Sequence, residues 1–180
     1  MELTQKIKDK MQEYYEKVKN EGLYGDNSIE KRKDLGQFYT PAELGAKMLE
    51  KYDCTLEEFK TKTILDPTMG SGLLLAYSLI AGADPERVFG IELDPTVLEL
   101  GQKRLCDEGI EDADGNIKKV PKYNLHHGNA LNHDCYCFPE SKYETEHVGK
   151  TYTFDPNRGD VGYVDFKNPD GTSGFKFGGF

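Results

Sequence analysis

Hydrophobic positions recur with helical spacing in the first part of the chain. Apolar side chains over residues 3–18 lie three or four positions apart among charged neighbours, which predicts an amphipathic helix up to Asn20. The segment Thr40–Glu43 has the form of a capping box with proline at the first helical position, so a second helix is predicted over residues 41–52. The same capping signal at Thr55 predicts a short turn of helix.

The middle of the chain alternates between short apolar runs and helical patterns. In order, the pattern predicts a strand over residues 63–65, a helix over 73–81 stopped by Gly82, a strand over 88–91 and a helix over 94–106. Strands that alternate with helices form βαβ units with a parallel sheet, so the predicted fold class is α/β.

After this unit the pattern is less regular. Residues 110–119 form an acidic stretch that predicts a loop, and a third strand is predicted over 123–126. From residue 139 onward, glycines separate short alternating runs, which indicates β-hairpins or a partly ordered tail. These runs are Thr151–Phe154, Tyr163–Phe166 and Phe175–Phe177.

Length and composition limit the classes of protein to which the chain can belong. With 180 residues it has the size of one domain. Its formal net charge of −9 argues against a free-standing nucleic-acid-binding protein, unless a local patch or a partner supplies positive charge. No apolar run approaches the ~20 residues that span a bilayer, and the N-terminus has no apolar signal core, so we expect a cytoplasmic protein without a membrane partner.

A carboxylate followed by glycines lies at the first predicted strand-to-helix turn. Asp66 ends the strand and Gly70 and Gly72 precede the helix, at the sheet edge where open α/β folds bind ligands. A phosphate-binding loop would have a lysine after the last glycine, but Leu73 stands there. Glu92 ends the second strand, where a carboxylate suits ribose hydroxyls. Two carboxylates without a lysine favour an uncharged or cationic nucleoside, and S-adenosylmethionine fits better than a dinucleotide; the alternative is that Asp66 only caps the helix.

Four motifs over residues 31–131 resemble those of the adenine-N6 DNA methyltransferases and occur in the order that this family has. They are Gly36-Gln37-Phe38-Tyr39-Thr40-Pro41, Asp66–Gly72, Gly90-Ile91-Glu92-Leu93-Asp94-Pro95 and Gly128-Asn129-Ala130-Leu131. The resemblance implies a Rossmann-like S-adenosylmethionine-dependent methyltransferase fold with a partial parallel sheet, an N-terminal helix and a β-rich C-terminal tail. The expected division is an N-terminal helix and loop over 1–35, a cofactor-binding core over 36–138 and a tail over 139–180.

The resemblance also implies which residues would bind S-adenosylmethionine. From the methionine end to the adenine, they are Tyr39, Thr40 and Pro41 at the methionine; Asp66, Thr68, Gly70 and Gly72 in the loop beneath it; Glu92 at the ribose; and Leu93, Asn129 and Ala130 at the adenine. The family often has aspartate where Asn129 stands, and an asparagine side-chain oxygen can accept the same hydrogen bond from the adenine amine.

The family's catalytic signature, Asn or Asp followed by Pro-Pro and an aromatic residue, is absent, because the sequence has no Pro-Pro. In the family this signature accepts hydrogen bonds from the target amine and stacks on a flipped base. Asn168-Pro169 is a better partial match than Asp155-Pro156, because it follows a predicted strand. Asn168 and Pro169 therefore form either a degenerate catalytic site or a simple turn.

The resemblance implies that the first strand lies between the second and a fourth strand. Without a proper fourth strand its edge would be unpaired, and exposed edges are normally covered. We hypothesise that the tail strands cover this edge, with homo-oligomer formation as a further means of covering it.

Two other groups of residues have simpler interpretations. The triplet Lys31–Lys33 could meet DNA phosphates, but a solvated loop is the more common role. One cluster has residue types that bind zinc but not the usual paired spacing, so we expect no metal site there: His126, His127, His133, Cys135 and Cys137.

The sequence therefore predicts an S-adenosylmethionine-binding domain similar to an adenine-N6 DNA methyltransferase. If it is catalytic, it would methylate adenine in DNA as part of a restriction-modification system, with another chain helping to bind DNA or to supply the missing acceptors. The alternative is a non-catalytic cofactor-binding protein: an accessory or regulatory subunit, or a cofactor-sequestering protein of the kind that a phage carries. A third alternative is a remnant that acts only as an interaction module.

Overall fold

The computed structural model describes residues 1–21, 39–130, 134–136, 163–167 and 173–178. The helices are α1 (Gln5–Asn20), α2 (Ala42–Glu50), α3 (Leu56–Phe59), α4 (Leu73–Ile80) and α5 (Pro95–Gln102), which continues as a π-helical segment over Lys103–Glu108. Short 3-10 turns lie at Pro85–Arg87 and Lys122–Asn124. The strands are β1 (Ile64–Asp66), β2 (Val88–Glu92), β3 (Ile110–Glu111), β4 (Ile117–Lys118), β5 (Leu125–Asn129), β6 (Asp134–Tyr136), β7 (Tyr163–Lys167) and β8 (Ser173–Gly178).

A four-stranded sheet with the order β1-β2-β5-β6 forms the centre of the fold. Strands β1, β2 and β5 are parallel, and β6 runs antiparallel to β5. Because β1 is followed by α4 and β2 by α5, these elements form the predicted βαβα unit, and the α/β fold class is confirmed.

Helix α4 lies at the heart of the hydrophobic core. Seven of its eight residues are buried, Leu74 being the exception. The amphipathic helix α1 packs against α2 and α4 and buries Ile7, Met11 and Val18. Since α4 begins directly after the turn at the end of β1, its burial fixes that turn in the molecule.

Local sequence signals located most helix ends correctly. Helix α1 ends at Asn20 as predicted, and Gly82 follows α4 with a φ of 99°. Asp94 caps α5 through hydrogen bonds from the N–H groups of Thr96 and Val97. The predicted capping box at Thr55 is present in full, with reciprocal bonds to Glu58.

The capping box predicted at Thr40 is wrong. Helix α2 begins one residue later than expected, because the Pro41 carbonyl accepts the first helical hydrogen bond from the Gly45 N–H at 2.9 Å. Pro41 is therefore the capping residue, and no side chain caps this helix. Helix α2 also ends at Glu50 rather than at Tyr52.

Two predictions in the following segment need correction. Residues 110–119 are not a simple loop, because β3 and β4 pair as a short hairpin around Asp112, whose carboxylate accepts the N–H groups of Asp114 and Asn116. The third parallel strand starts at Leu125 rather than at Tyr123, since residues 122–124 form a 3-10 turn. It also continues through Asn129, beyond the end at His126 that the sequence predicts.

Strands β7 and β8 form a separate antiparallel pair and correspond to two of the predicted runs in the tail. The third run, Thr151–Phe154, lies outside the described residues. Within the part of the chain that the structure describes, β1 pairs with β2 alone, and β7 and β8 pair with each other. That the tail covers the edge of β1 therefore stays a prediction.

None of the helices in the described ranges is both long and apolar enough to cross a membrane.

Candidate functional site

Three parallel strands end side by side at one edge of the sheet, and each ends on a polar residue. Asp66 is the last residue of β1, Glu92 of β2 and Asn129 of β5. The register pairs Asp66 with Gly90 and Glu92 with His127, so the three ends follow one another along the edge. This is the edge at which open α/β sheets bind ligands.

The carboxylate of Glu92 ties the glycine loop to the end of β2. One oxygen, Oε2, accepts the Gly70 N–H at 2.8 Å, and the other, Oε1, accepts the Asp94 N–H at 2.9 Å. Hydrogen bonds to a charged acceptor are stronger than neutral ones. Because each carboxylate oxygen can accept more than one hydrogen bond, Glu92 can also accept a hydrogen bond from a hydroxyl group of a ligand.

Met69 anchors the same loop from the inside. Its side chain is buried and its N–H donates to the Ile91 carbonyl at 2.9 Å. A Cβ atom on Gly90 would lie 2.4 Å from Met69 Sδ, and one on Gly101 would lie 2.5 Å from Met69 Cε. Two glycines, one in β2 and one in α5, therefore make room for a side chain that locks the loop to the fold.

The two loop glycines face different surroundings. A Cβ atom on Gly72 would lie 2.5 Å from Leu105 Cδ1, so this end of the loop packs against the core. One on Gly70 would have a single neighbour within 4 Å among the described residues, Tyr39 Cε1 at 3.8 Å. The backbone at Gly70 is thus open to a ligand next to the Tyr39 ring, which is the kind of cradle that a nucleoside cofactor needs.

Asp66 is an acidic group in an unfavourable environment. Burial raises its pKa, the Thr68 N–H that donates to Oδ1 at 3.1 Å opposes that rise, and the nearby Glu92 adds to it. The segment 64–72 contributes no Lys or Arg to offset the two acidic groups. A positively charged ligand at this edge would stabilise both carboxylates, because a nearby opposite charge favours the ionised form.

Leu93 is an exposed apolar side chain directly after Glu92. It is 59% exposed, and its carbonyl accepts a hydrogen bond from His127 Nε2 at 2.9 Å. An apolar side chain next to a carboxylate that suits ribose hydroxyls can cover the face of a nucleobase. Taken with the open backbone at Gly70 and the acidic edge, the residues present fit S-adenosylmethionine.

The structure brings most of the predicted site residues together. Those grouped around the glycine loop and the strand ends are Tyr39, Asp66, Thr68, Gly70, Gly72, Glu92 and Leu93. Thr40 and Pro41 directly follow Tyr39 at the start of α2, and the half-buried Ala130 follows β5. Asn129 is placed by its strand backbone at the same edge.

Other predicted positions lie where the structure gives no account of them. Asn168 and Pro169 are outside the described residues, as are the basic triplet Lys31–Lys33 and His133. Over the described ranges no group of three His, Cys, Asp or Glu side chains is arranged to hold a metal ion.

Sequence reasoning missed two contributions to this site. It assigned no role to Met69, although glycines at Gly90 and Gly101, within a strand and a helix, are a sign of close packing. It also assigned Glu92 to a ligand only and not to the loop. The bond from Gly70 to Glu92 joins residues that are far apart in sequence, so no local pattern reveals it.

Comparisons with known proteins identify one family and one relative. The family model described as N-6 DNA Methylase matches residues 6–144. The Type II methyltransferase M.VspI from Vibrio sp. (strain 343) is 32% identical over 99 residues, which are 54% of this chain and 23% of that protein. The chain therefore aligns with about a quarter of the length of this relative. No solved structure matches the chain.

Proposed function

The chain belongs to the N-6 DNA methylase family, and we propose that it binds S-adenosylmethionine at the edge formed by Asp66, Glu92 and the glycine loop. The observation that carries this proposal is the pair of carboxylates on neighbouring strand ends, around a loop that Glu92 already holds in place. A ligand with an ammonium and a sulfonium group supplies the positive charge that this pair lacks.

Each residue group would have its own part in binding. Glu92 accepts the ribose hydroxyls with the lone pairs that Gly70 and Asp94 leave available, and Leu93 covers one face of the adenine. The Tyr39 ring lies beside Gly70, where it would contact the methionine end. The loop is fixed without a ligand through Met69 and Glu92, so binding costs little ordering of this backbone.

The family implies methyl transfer to adenine N6 in DNA, and we propose this reaction, with different residues binding the cofactor and the target adenine. When bound, S-adenosylmethionine supplies an activated methyl group. The residues of this site hold and orient it, and positioning is a large part of the catalysis of such a transfer. Asn168 is the residue of this chain that best matches an acceptor for the target amine, with DNA contacts helped by another chain.

Calorimetry with S-adenosylmethionine tests the binding site. We expect wild-type protein to bind and the Asp66→Asn variant to bind about tenfold or more weakly, since hydrogen bonds and contacts to a charged group contribute about 1.5–3 kcal/mol. The matched control is Asp84→Asn, because Asp84 Oδ1 accepts the Glu86 N–H at 3.1 Å in the same local geometry as Asp66 and Thr68. Equal affinities of the Asp66→Asn variant and the wild type would overturn the site.

A non-catalytic binding protein is the second candidate, because Asn168-Pro169 is followed by Asp170 where the family has its second proline. Transfer of labelled methyl groups to DNA distinguishes the two candidates. Transfer that Asn168→Ala abolishes supports an enzyme. Cofactor retention by wild-type protein without any transfer supports an accessory, regulatory or sequestering role.

A further inference from the structure

Tyr77 links the core helix α4 to the segment just before α2. The residue is fully buried, and its hydroxyl donates a hydrogen bond to the Thr40 carbonyl at 3.1 Å. The two residues are 37 positions apart in sequence, so this bond fixes the distance between two elements rather than a local turn. Nothing in the sequence pattern distinguishes Tyr77 from an ordinary core aromatic.

A glycine makes room for the ring of Tyr77. A Cβ atom on Gly45 would lie 2.4 Å from Tyr77 Cδ2 and 2.7 Å from Cε2, so any larger residue at this position would displace the ring. Burial raises the pKa of the Tyr77 hydroxyl, with Tyr15 and Tyr14 adding to the rise. The hydroxyl therefore remains protonated at all ordinary pH values and keeps donating to Thr40.

Thr40 follows Tyr39, and the Tyr39 ring lies beside the open backbone of Gly70. Because α4 starts directly after Gly72, Tyr77 belongs to the same rigid element that ends the glycine loop. The hydrogen bond to Thr40 thus sets where residues 39–41 stand relative to that loop. No side chain caps the start of α2 in this segment, so the hydrogen bond from Tyr77 to the Thr40 carbonyl fixes its position instead.

We propose that Tyr77 is a positioning residue that sets the specificity of the site for nucleosides carrying an amino-acid chain. It acts through Thr40, by holding residues 39–41 against the glycine loop where the methionine end would lie. This inference rests on the proposed function, since it concerns the same cofactor site. It predicts a selective effect on one end of the ligand, which a general loss of packing would not produce.

The test measures the affinity of two ligands for the wild-type protein and for the Tyr77→Phe variant. S-Adenosylhomocysteine has the amino-acid chain, whereas 5′-methylthioadenosine lacks it but keeps the nucleoside. We expect Tyr77→Phe to weaken S-adenosylhomocysteine binding by about fivefold to tenfold, the equivalent of one hydrogen bond, and to leave 5′-methylthioadenosine binding unchanged. Isothermal titration calorimetry measures both affinities.

Ser78→Ala is the matched control. Ser78 is the next residue of α4, is buried, and donates from its hydroxyl to the Leu74 carbonyl at 3.0 Å, away from Thr40. This variant should bind both ligands like the wild type. If Tyr77→Phe does not fold, Gly45→Ala gives the same comparison, because its methyl group displaces the Tyr77 ring while the hydroxyl remains.

The outcomes separate this inference from the proposed function. Equal losses for both ligands, or no loss for either, would overturn the positioning role of Tyr77. If wild-type protein binds neither of these ligands nor S-adenosylmethionine, the proposed function itself fails. A selective loss with Tyr77→Phe and none with Ser78→Ala supports both.

Discussion

Asp66 and Glu92 are acidic residues at equivalent strand ends, yet their surroundings differ. Glu92 receives two backbone N–H groups, one on each oxygen. Asp66 receives a backbone hydrogen bond from Thr68, while burial and the charge of Glu92 act against its ionised form. Glu92 is therefore satisfied by the protein, and Asp66 is the group that gains most from a cationic ligand.

The stability of an Asp66→Asn variant follows from this difference. Because folding raises the pKa of Asp66, the protonated carboxyl stabilises the fold, and this contribution is lost as pH rises through the raised pKa. The asparagine carries no charge and keeps the oxygen that accepts the Thr68 N–H. We expect Asp66→Asn to have a higher Tm than the wild type at pH 7.

Thermal unfolding followed by circular dichroism over a range of pH measures this effect. The difference in Tm should shrink as pH falls towards and below 3.8, the ordinary pKa, because the wild-type carboxyl is then neutral in both states. A wild type that is the more stable protein at pH 7 would contradict the prediction. A higher Tm of Asp66→Asn, together with weaker binding of S-adenosylmethionine by this variant, would show that the Asp66 carboxylate strengthens binding at a cost in stability.

At the scale of elements, the turn from β1 to α4 depends on packing as well as on backbone conformation. Gly72 precedes α4 with a φ of 84°, and the space where its side chain would be is filled by Leu105 from the π-helical segment after α5. The segment that continues α5 thus packs against the start of α4. This contact holds the loop end against the core while Gly70 remains open.

Gly72 and Gly115 have similar φ angles, so a comparison of the two separates the cost of backbone strain from the cost of packing. Gly115 has a φ of 88° and nothing within 4 Å of its Cβ position among the described residues, whereas a Cβ on Gly72 would lie 2.5 Å from Leu105 Cδ1. Gly115→Ala should cost about 1–2 kcal/mol from left-handed strain alone. Gly72→Ala should cost about 1–3 kcal/mol more, because it also overpacks the core.

Urea denaturation of the two variants measures the difference directly, since both start from the same wild type. Equal losses in the free energy of unfolding would show that Leu105 moves aside without cost. The contact would then have no part in fixing the loop.

The sequence predicts those elements whose ends carry local signals. Asp94-Pro95 marks the start of α5 through the Asp94 side chain, and Gly82 follows the end of α4 with a positive φ, so the sequence predicts both ends correctly. The prediction of Thr40 as a cap is wrong, since Pro41 is the capping residue, and the Thr40 carbonyl accepts a hydrogen bond from Tyr77, a residue far along the chain. The sequence predicts Asp66 and Glu92 as strand ends because each directly follows a short apolar run, but it does not reveal the bond from Gly70 to Glu92, which forms only when the sheet assembles.

At the scale of the whole molecule, the sheet has an edge at β1. Over the described residues β1 pairs with β2 alone, and an edge strand presents unpaired N–H and C=O groups to its surroundings. A two-stranded hairpin such as β7–β8 is only marginally stable by itself in water. Both features favour a fold in which the β1 edge and the tail are each covered.

Hydrogen exchange of residues 64–66 tests whether that edge is covered, in the full chain and at two protein concentrations. We expect slow exchange of the amides that point away from β2, because a covered edge has hydrogen-bonded amides and these open only with larger unfolding events. Protection that does not depend on concentration would indicate the tail of the same chain, whereas protection that grows with concentration would indicate a second copy. Fast exchange of these amides in a monomer would show that the edge is bare. Among the described residues, the turn at Asp66 would then be held through Glu92 and Met69 and by the burial of α4, without support from the β1 edge.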